Sequence, residues 1–145
     1  MANSYSIPVN TSTAANANGA VNLSYSLIGQ YDLGAAPPHE VLFDVKFTPS
    51  AAPSSPNKSS ILLVASSLDG TNWSDAPTSA TETNARLLGS VAHPDTSARQ
   101  TASLPLSPLF GGALPRYVRV YVKNDTGVAY ASSGNSIVAT SEIFG

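Results

Sequence analysis

Few residues of this chain have the types and spacing that chemistry at an active site needs. Its two histidines, His39 and His93, both lie beside proline in loop-like sequence. A serine–histidine–aspartate triad is defined by geometry, so sequence order alone does not exclude one. No serine, however, stands in the Gly-x-Ser-x-Gly pattern of a nucleophile elbow. We therefore expect both histidines to be solvent-exposed loop residues, and we predict no catalytic residue.

The acidic residues Asp69 and Asp75 flank Trp73, the only tryptophan. Paired carboxylates could serve glycoside hydrolysis, with the indole as a platform for a sugar. The oxygen-rich segment 69–75 could also hold calcium, but it lacks the ligand spacing of an EF-hand. Asp-Gly followed by Thr and Asn is also a turn in which the aspartate bonds the backbone. We favour the turn and predict no metal and no cofactor.

Composition excludes several other classes of function. The chain has 145 residues, enough for one domain, and no cysteine, which rules out thiolate metal sites and cysteine nucleophiles. Charged residues make up 11%, against about 25% in typical domains, and the net charge is −2. The seven Lys and Arg are scattered and no apolar run approaches about 20 residues, so we expect neither nucleic acid nor membrane as a partner.

The elements that must position these residues are strands. Apolar and polar residues alternate with period 2 in several segments, as in antiparallel strands with one buried face. Residues 61–64 are apolar on both faces and predict a central strand. We predict a single antiparallel β-sandwich, jelly-roll-like or immunoglobulin-like, with about seven or eight strands and Trp73 packed in its core. The other predicted strands span 23–27, 41–47, 86–92, 118–122 and 136–144, with weaker ones at 4–9 and 100–104.

Two segments are less regular. Residues 10–20 are rich in Ala, Asn, Thr and Ser and have little apolar surface to bury. They form either a flexible arm that orders on a neighbouring subunit, and so a first candidate for partner contact, or a frayed or surface-hugging terminus. We divide the chain into an N-terminal arm with a first short strand, residues 1–20, and a sandwich domain, residues 21–145. Residues 104–115 are apolar but interrupted by three prolines and two glycines. This segment either caps the open end of the sandwich or forms an exposed patch for a protein partner; its large apolar residues are Leu106, Leu109, Phe110 and Leu114.

A third candidate for partner contact is a stripe of alternating residues near the end of the chain. Tyr117, Arg119, Tyr121 and Lys123 project to one face of a strand. Tyr and Arg are enriched at interface hot spots, although the stripe could equally be a solvated sheet face. The candidate partner contacts are Leu106, Leu109, Phe110, Tyr117, Arg119 and Tyr121.

The segments Ser67 to Trp73 and Arg116 to Val120 together resemble a pattern in small structural proteins of tailed bacteriophages. There, an SxDGxxW turn follows a central strand, and a later strand begins near RYVRV after a loop rich in proline or glycine. The resemblance covers residues 42–124. Similar turns occur in carbohydrate-binding and adhesive sandwiches.

This resemblance implies a non-enzymatic virion protein, made in the host cytoplasm and placed on the capsid surface. It would decorate or cement the shell by binding the major capsid protein, and it would form a homo-oligomer, either dimer or trimer. Three alternatives stay open: a carbohydrate-binding or adhesive module that uses Trp73, a tail or head-completion protein, and a hydrolase.

Overall fold

The computed structural model describes residues 2–6, 11–12, 17–73, 75–77 and 85–144. This part of the chain forms nine strands in two antiparallel sheets and contains no α-helix, which confirms the prediction of an all-β antiparallel sandwich. No helix in the described ranges is long and apolar enough to cross a membrane. The strands are β1 (Ala2–Ser6), β2 (Thr11–Ser12), β3 (Tyr25–Asp32), β4 (Glu40–Phe47), β5 (Ser59–Ser67), β6 (Arg86–Ala92), β7 (Gln100–Pro105), β8 (Tyr117–Asp125) and β9 (Ser136–Phe144).

The two sheets have different widths. The four-stranded sheet has the order β1-β9-β4-β7, and the five-stranded sheet has the order β2-β3-β8-β5-β6. Strand β8 is therefore the middle strand of the wider sheet, and β5 lies between β8 and β6. This confirms that residues 61–64 belong to an interior strand. Nine residue pairs join β5 and β8, from Ser59–Asp125 to Ser67–Tyr117, whereas no other two strands in the described ranges share more than seven.

The core lies between the sheets and follows the predicted alternation. In β4, Val41, Phe43, Val45 and Phe47 are at most 1% exposed, whereas the intervening Asp44 and Lys46 face solvent. The valines of β8 are fully buried from the opposite side. Burial of each such side chain contributes on the order of 1.5–3 kcal/mol, so the two facing rows dominate the stability of the fold.

The apolar segment 104–115 closes one end of the sandwich, which confirms the capping alternative. Leu106 is fully buried and Leu114 is 9% exposed, and both belong to the core. A short 3₁₀ helix, Ser107–Leu109, begins there, and its start is held by Glu40. The Glu40 carboxylate accepts hydrogen bonds from the backbone N–H groups of Leu106 and Ser107 at 3.0 and 2.8 Å. Glu40 is half-buried, and its carboxylate orders this cap.

Two sequence-based expectations need correction. The strand predicted from residue 23 begins at Tyr25; Leu23 precedes it with a φ of 64° and is 56% exposed. Its N–H donates to the Asn124 carbonyl, which holds this residue in a turn. Trp73 is also outside the core between the sheets. It is half-buried on the outer face of the five-stranded sheet, because the chain turns back over that face after Gly70.

The predicted N-terminal arm is described only in part. Thr11–Ser12 pairs with β3, and Ala17 is 1% exposed within the core. The Gly19 N–H donates to the Ala131 carbonyl at 3.0 Å. Residues 7–10 and 13–16 lie outside the described residues. The division of the chain at residue 20 stays a prediction.

One glycine of β3 is required by close packing, and this gives a test of the core. A Cβ at Gly29 would lie 2.4 Å from the Tyr31 hydroxyl oxygen and 2.6 Å from a ring carbon. Tyr31 is fully buried and packs against Phe43 with ring centroids 5.4 Å apart, so it has no room to move. We expect Gly29→Ala to lower the free energy of unfolding by about 3 kcal/mol, the upper end of typical overpacking costs, in urea denaturation followed by circular dichroism.

The matched control is Gly89→Ala in β6. Its Cβ would approach only the terminal carbon of Leu104, at 2.8 Å, and that side chain is half-buried and can rotate. We expect a clearly smaller loss. Equal denaturation midpoints for Gly29→Ala and the wild type would show that Tyr31 does not pack over Gly29.

Candidate functional site

The outer face of the five-stranded sheet carries a row of cations stacked on aromatic rings. We call it the cation–aromatic face. The Arg116 guanidinium lies 4.8 Å from the Tyr117 ring centre, the Arg119 guanidinium 4.2 Å from that of Trp73, and the Lys123 ammonium 5.4 Å from that of Tyr25. Each such contact is worth about 0.5–1 kcal/mol at an exposed site. The face consists of Tyr25, Trp73, Arg116, Tyr117, Arg119, Tyr121 and Lys123.

Strands β3 and β8 hold these side chains in fixed positions. The Arg119 Nε donates to the Gln30 Oε1 at 2.7 Å, so this guanidinium is held between Gln30 and Trp73. Arg116 donates to both carboxylate oxygens of Asp32, at 2.9 and 3.1 Å. This hydrogen bonding from Arg116 lowers the pKa of Asp32, and Asp32 therefore stays ionised.

The chain's own loop covers one part of this face. Tyr121 is 8% exposed and packs with Leu63 and Ala65, and Trp73, Ala76 and Ala85 lie against the same cluster. Within the stripe, Tyr121 is thus buried in a small second core, whereas Tyr117 and Arg119 are half-exposed.

Two of the candidate partner contacts, Leu106 and Tyr121, are buried in the protein itself. Leu106 is fully buried in the cap, and Tyr121 is covered by the loop, so neither side chain is within reach of a partner on this surface. Leu109 and Phe110 are half-buried against the core, with Arg86 stacked 4.3 Å from the Phe110 ring centre. Partner contact by Leu109, Phe110, Tyr117 and Arg119 stays a prediction.

The open part of the same outer face forms a shallow groove. It has a volume of about 460 Å³ and lies along β5, β6 and the end of β8. Its floor is apolar: Ile61 is half-buried and Leu87 is 59% exposed. Hydroxyl and amide groups of Asn57, Ser59 and Ser90 line its sides. Sequence reasoning did not identify this groove, because residues 57–61 and 87–92 come together only when β5 and β6 pair.

The Asp69 segment is a turn organised by one carboxylate, as expected. The Asp69 Oδ1 accepts hydrogen bonds from the backbone N–H groups of Thr71 and Asn72, both at 2.8 Å. The Asn72 amide and the Ser67 hydroxyl also donate to this carboxylate. These bonds lower the pKa of Asp69. The carboxylate is therefore used in the turn, where its oxygens accept hydrogen bonds from the backbone and from two neighbouring side chains.

Asp69 and Asp75, the residues considered for catalysis and metal binding, have different hydrogen-bond partners. Asp75 lies on the other side of Trp73, where its Oδ2 accepts a 3.4 Å hydrogen bond from the Ser66 N–H. The structure, over the ranges it describes, contains no group of three or more His, Asp or Glu residues that could hold a metal ion. His39 is exposed in its loop, as expected.

The expectation for His93 was wrong, because this side chain is buried. Strand β6 ends at Ala92, but the His93 N–H still donates to the Lys58 carbonyl at 2.8 Å. The alternation of β6 therefore continues for one more residue and directs the imidazole inward, where it is 5% exposed. Its Nε2 lies 2.8 Å from the Ser60 Oγ, which also bonds the Tyr130 hydroxyl. Extending the period-2 pattern past residue 92 would have found this position.

This Ser–His pair differs from a catalytic triad in two respects. Ser60 is fully buried, and the His93 Nδ1 has no hydrogen-bond partner among the described residues. In a triad, a carboxylate orients the imidazole through that nitrogen. Burial also lowers the pKa of His93, which keeps the imidazole neutral.

A second polar cluster at the same end of the sandwich was also missed. The Asn124 side chain, fully buried, donates to the carbonyls of Ala20 and Val128 at 2.9 and 2.8 Å. The Asp125 carboxylate accepts from Ser55 and Asn57. Sequence patterns do not identify this cluster, because all of these bonds except the one to Val128 join residues 68 to 104 positions apart.

The placement of Trp73 predicts its contribution to stability. Trp73→Ala removes the ring that covers Tyr121 and stacks with Arg119. We expect a loss of about 2 kcal/mol in the free energy of unfolding, from half-buried apolar area and one cation–π contact. Urea denaturation followed by far-ultraviolet circular dichroism measures it. Leu68→Ala is the control, since Leu68 is 92% exposed in the adjacent turn; equal stability of both variants would contradict the packing described.

Comparison with known proteins does not place this chain in a family. A search against known protein families finds no match, and no curated protein is significantly similar to the chain.

Proposed function

We propose that this protein is a non-enzymatic structural protein of a bacteriophage virion, of the capsid-decoration type. It binds neighbouring protein subunits through the outer face of its five-stranded sheet. The observation that carries the proposal is the cation–aromatic face. Arg119 and Lys123 are stacked on Trp73 and Tyr25, and neither forms an ion pair with the described residues.

Such a face suits protein recognition. Trp, Tyr and Arg are the residues most enriched among interface hot spots. Arg119 is already held by Gln30 and Trp73, so binding would cost it little conformational entropy. The apolar groove with Leu87 extends the same surface and would add buried apolar area.

The use of the few charged residues supports a structural role. Glu40 orders the cap, Asp69 orders a turn, Asp125 ties down a loop, and Asp32 pairs with Arg116. Each of these carboxylates accepts hydrogen bonds that fix the chain. These hydrogen bonds would make the fold rigid. A decoration protein needs such rigidity to present one surface with little loss of conformational entropy on binding.

The placement in a virion rests on the resemblance of two segments to phage proteins, 67–73 and 116–120. In the fold these segments are neighbours, because Ser67 pairs with Tyr117 between β5 and β8. A Cβ at Gly70 would lie 3.1 Å from the Tyr117 ring, so the turn packs directly on the strand. The two motifs thus form one structural unit at the edge of the cation–aromatic face.

The mechanism would be the addition of interface across joints between capsid subunits. A specific site needs on the order of 1,000 Å² of buried surface. Copies bound at symmetry-related positions, or joined in a dimer or trimer, would then act together through avidity. Light scattering of the purified protein measures the oligomeric state.

Binding to capsid shells tests the proposal. We expect the protein to co-sediment with empty shells of the phage that encodes it. The double variant Tyr117→Ala/Lys123→Gln should bind about tenfold more weakly, as expected for the loss of hot-spot contacts. Lys46→Gln is the matched control, because Lys46 is exposed on the outer face of the other sheet.

Two results would contradict the proposal. The first is a wild-type protein that does not co-sediment with the shells. The second is equal binding by the double variant and the control, which would exclude this face as the contact. A glycan array tests the carbohydrate-binding alternative. Trp73 is less suitable as a platform for a sugar ring, because Arg119 occupies one face of its indole.

A further inference from the structure

The buried polar chain Ser60–His93–Tyr130 has a property that the proposed function does not use. The three side chains come from β5, from the residue after β6 and from the loop after β8, and each is at most 5% exposed. The Ser60 Oγ bonds both the His93 Nε2, at 2.8 Å, and the Tyr130 hydroxyl. One serine hydroxyl therefore joins three separate parts of the chain.

Protonation of His93 adds a buried donor to the Ser60–His93–Tyr130 chain. In the neutral imidazole with its hydrogen on Nε2, that N–H donates to the Ser60 Oγ, the Ser60 hydroxyl donates to the Tyr130 oxygen, and Nδ1 is a bare acceptor without a partner among the described residues. A protonated imidazole must donate from both nitrogens. Nδ1–H then has no acceptor among the described residues, and a buried donor without an acceptor is costly.

The other charged groups nearby do not compensate a positive charge on His93. Lys58, whose carbonyl accepts from the His93 N–H, forms a surface ion pair with Asp95. Asp125, at the end of β8, is bonded to Ser55 and Asn57. Tyr130 is raised in pKa by burial and stays neutral. Loop residues 48–57 contain no titratable side chain.

Tyr130 links this chain to the N-terminal part of the protein. Its N–H donates to the Ala20 carbonyl at 3.0 Å, and its ring stacks on Phe47 with centroids 5.3 Å apart. The next residue, Ala131, accepts from the Gly19 N–H at 3.0 Å. Segment 17–20 is therefore held at this end of the sandwich by the loop that carries Tyr130.

We propose that the Ser60–His93–Tyr130 chain is an acid-sensitive contact, in which uptake of one proton by His93 opens this end of the sandwich and releases segment 17–20 from the Tyr130 loop. The proton comes from solvent, and the only covalent change is the N–H bond that it forms on the His93 imidazole. The inference stands independently of the virion role and would apply to any function of the fold.

The sign of the pH dependence follows from burial. Desolvation lowers the pKa of His93 in the closed form below its ordinary value of 6.5. Between those two values the open form binds more protons than the closed form, so the closed form loses stability as the pH falls below 6.5. The contribution of neutral His93 to the stability of the closed form is fully lost below the lower pKa. Within that window the opening constant rises by up to about tenfold per pH unit.

Amide hydrogen exchange at pH 7.5 and pH 5, corrected for the intrinsic exchange rate, tests the proposal. In the wild type we expect protection of the Gly19 and Tyr130 amides to fall at pH 5, while core amides such as that of Val120 keep theirs. His93→Gln, which keeps a donor toward Ser60 but does not titrate, should show the same protection at both values. His39→Gln, changed at an exposed histidine, should behave like the wild type.

A nuclear magnetic resonance titration of the two imidazoles in the wild type covers the case in which His93→Gln does not fold. We expect His93 to titrate below the ordinary imidazole value of 6.5, together with the loss of Gly19 and Tyr130 protection. If His93 titrates at or above that value, or if protection at Gly19 and Tyr130 is unchanged after His93 has titrated, the proposal is wrong.

Discussion

Strand β8 is the constraint on which the rest of the structure depends. It is the middle strand of the wider sheet and is hydrogen-bonded along its length to β3 and β5. Its valines, Val118, Val120 and Val122, are fully buried against the other sheet. Its alternate residues form the cation–aromatic face on the outside. Because side chains alternate along a strand, the same nine residues set both the core and the candidate contact surface, and neither can shift without the other.

Polar groups in this chain act mainly to order its loops and ends. A carboxylate or amide stands at each irregular point: Glu40 at the cap, Asp69 at the exit of β5, Asn124 and Asp125 where β8 ends. A buried polar group is stable only when its hydrogen bonds are made, so each of these bonds also selects one loop conformation. The low charge content thus coincides with hydrogen-bonded polar side chains in the described loops. Such ordering would suit the proposed role in assembly, where a preformed surface loses less entropy on binding.

The requirement that buried polar groups make their hydrogen bonds also explains why one end of the sandwich is sensitive to acid and the other is not. At the Glu40 end, the carboxylate accepts several hydrogen bonds from backbone donors, and the closed state gains from its charge. At the opposite end, the His93 Nδ1 has no acceptor among the residues that the structure describes, so a proton on this nitrogen is costly. Histidine is the side chain whose ordinary pKa lies between neutral and mildly acidic pH. A pH-dependent opening is therefore confined to the end that holds segment 17–20.

The sequence by itself determined the strands and the direction in which their residues face. Period-2 alternation identified the inner rows of β4 and β8 and the bounds of β6 and β9, since this pattern is local and is imposed by the backbone. Asp69-Gly70 likewise specified its turn through bonds to residues two and three positions away. Only the tertiary structure decided where Trp73, His93 and Leu106 lie. Trp73 is placed by the path of a loop across a sheet, His93 by one backbone bond to a neighbouring strand, and Leu106 by a carboxylate 66 positions away. These contacts join residues that are distant in sequence. No local pattern encodes those of Trp73 and Leu106, whereas the inward direction of His93 continues the alternation of β6.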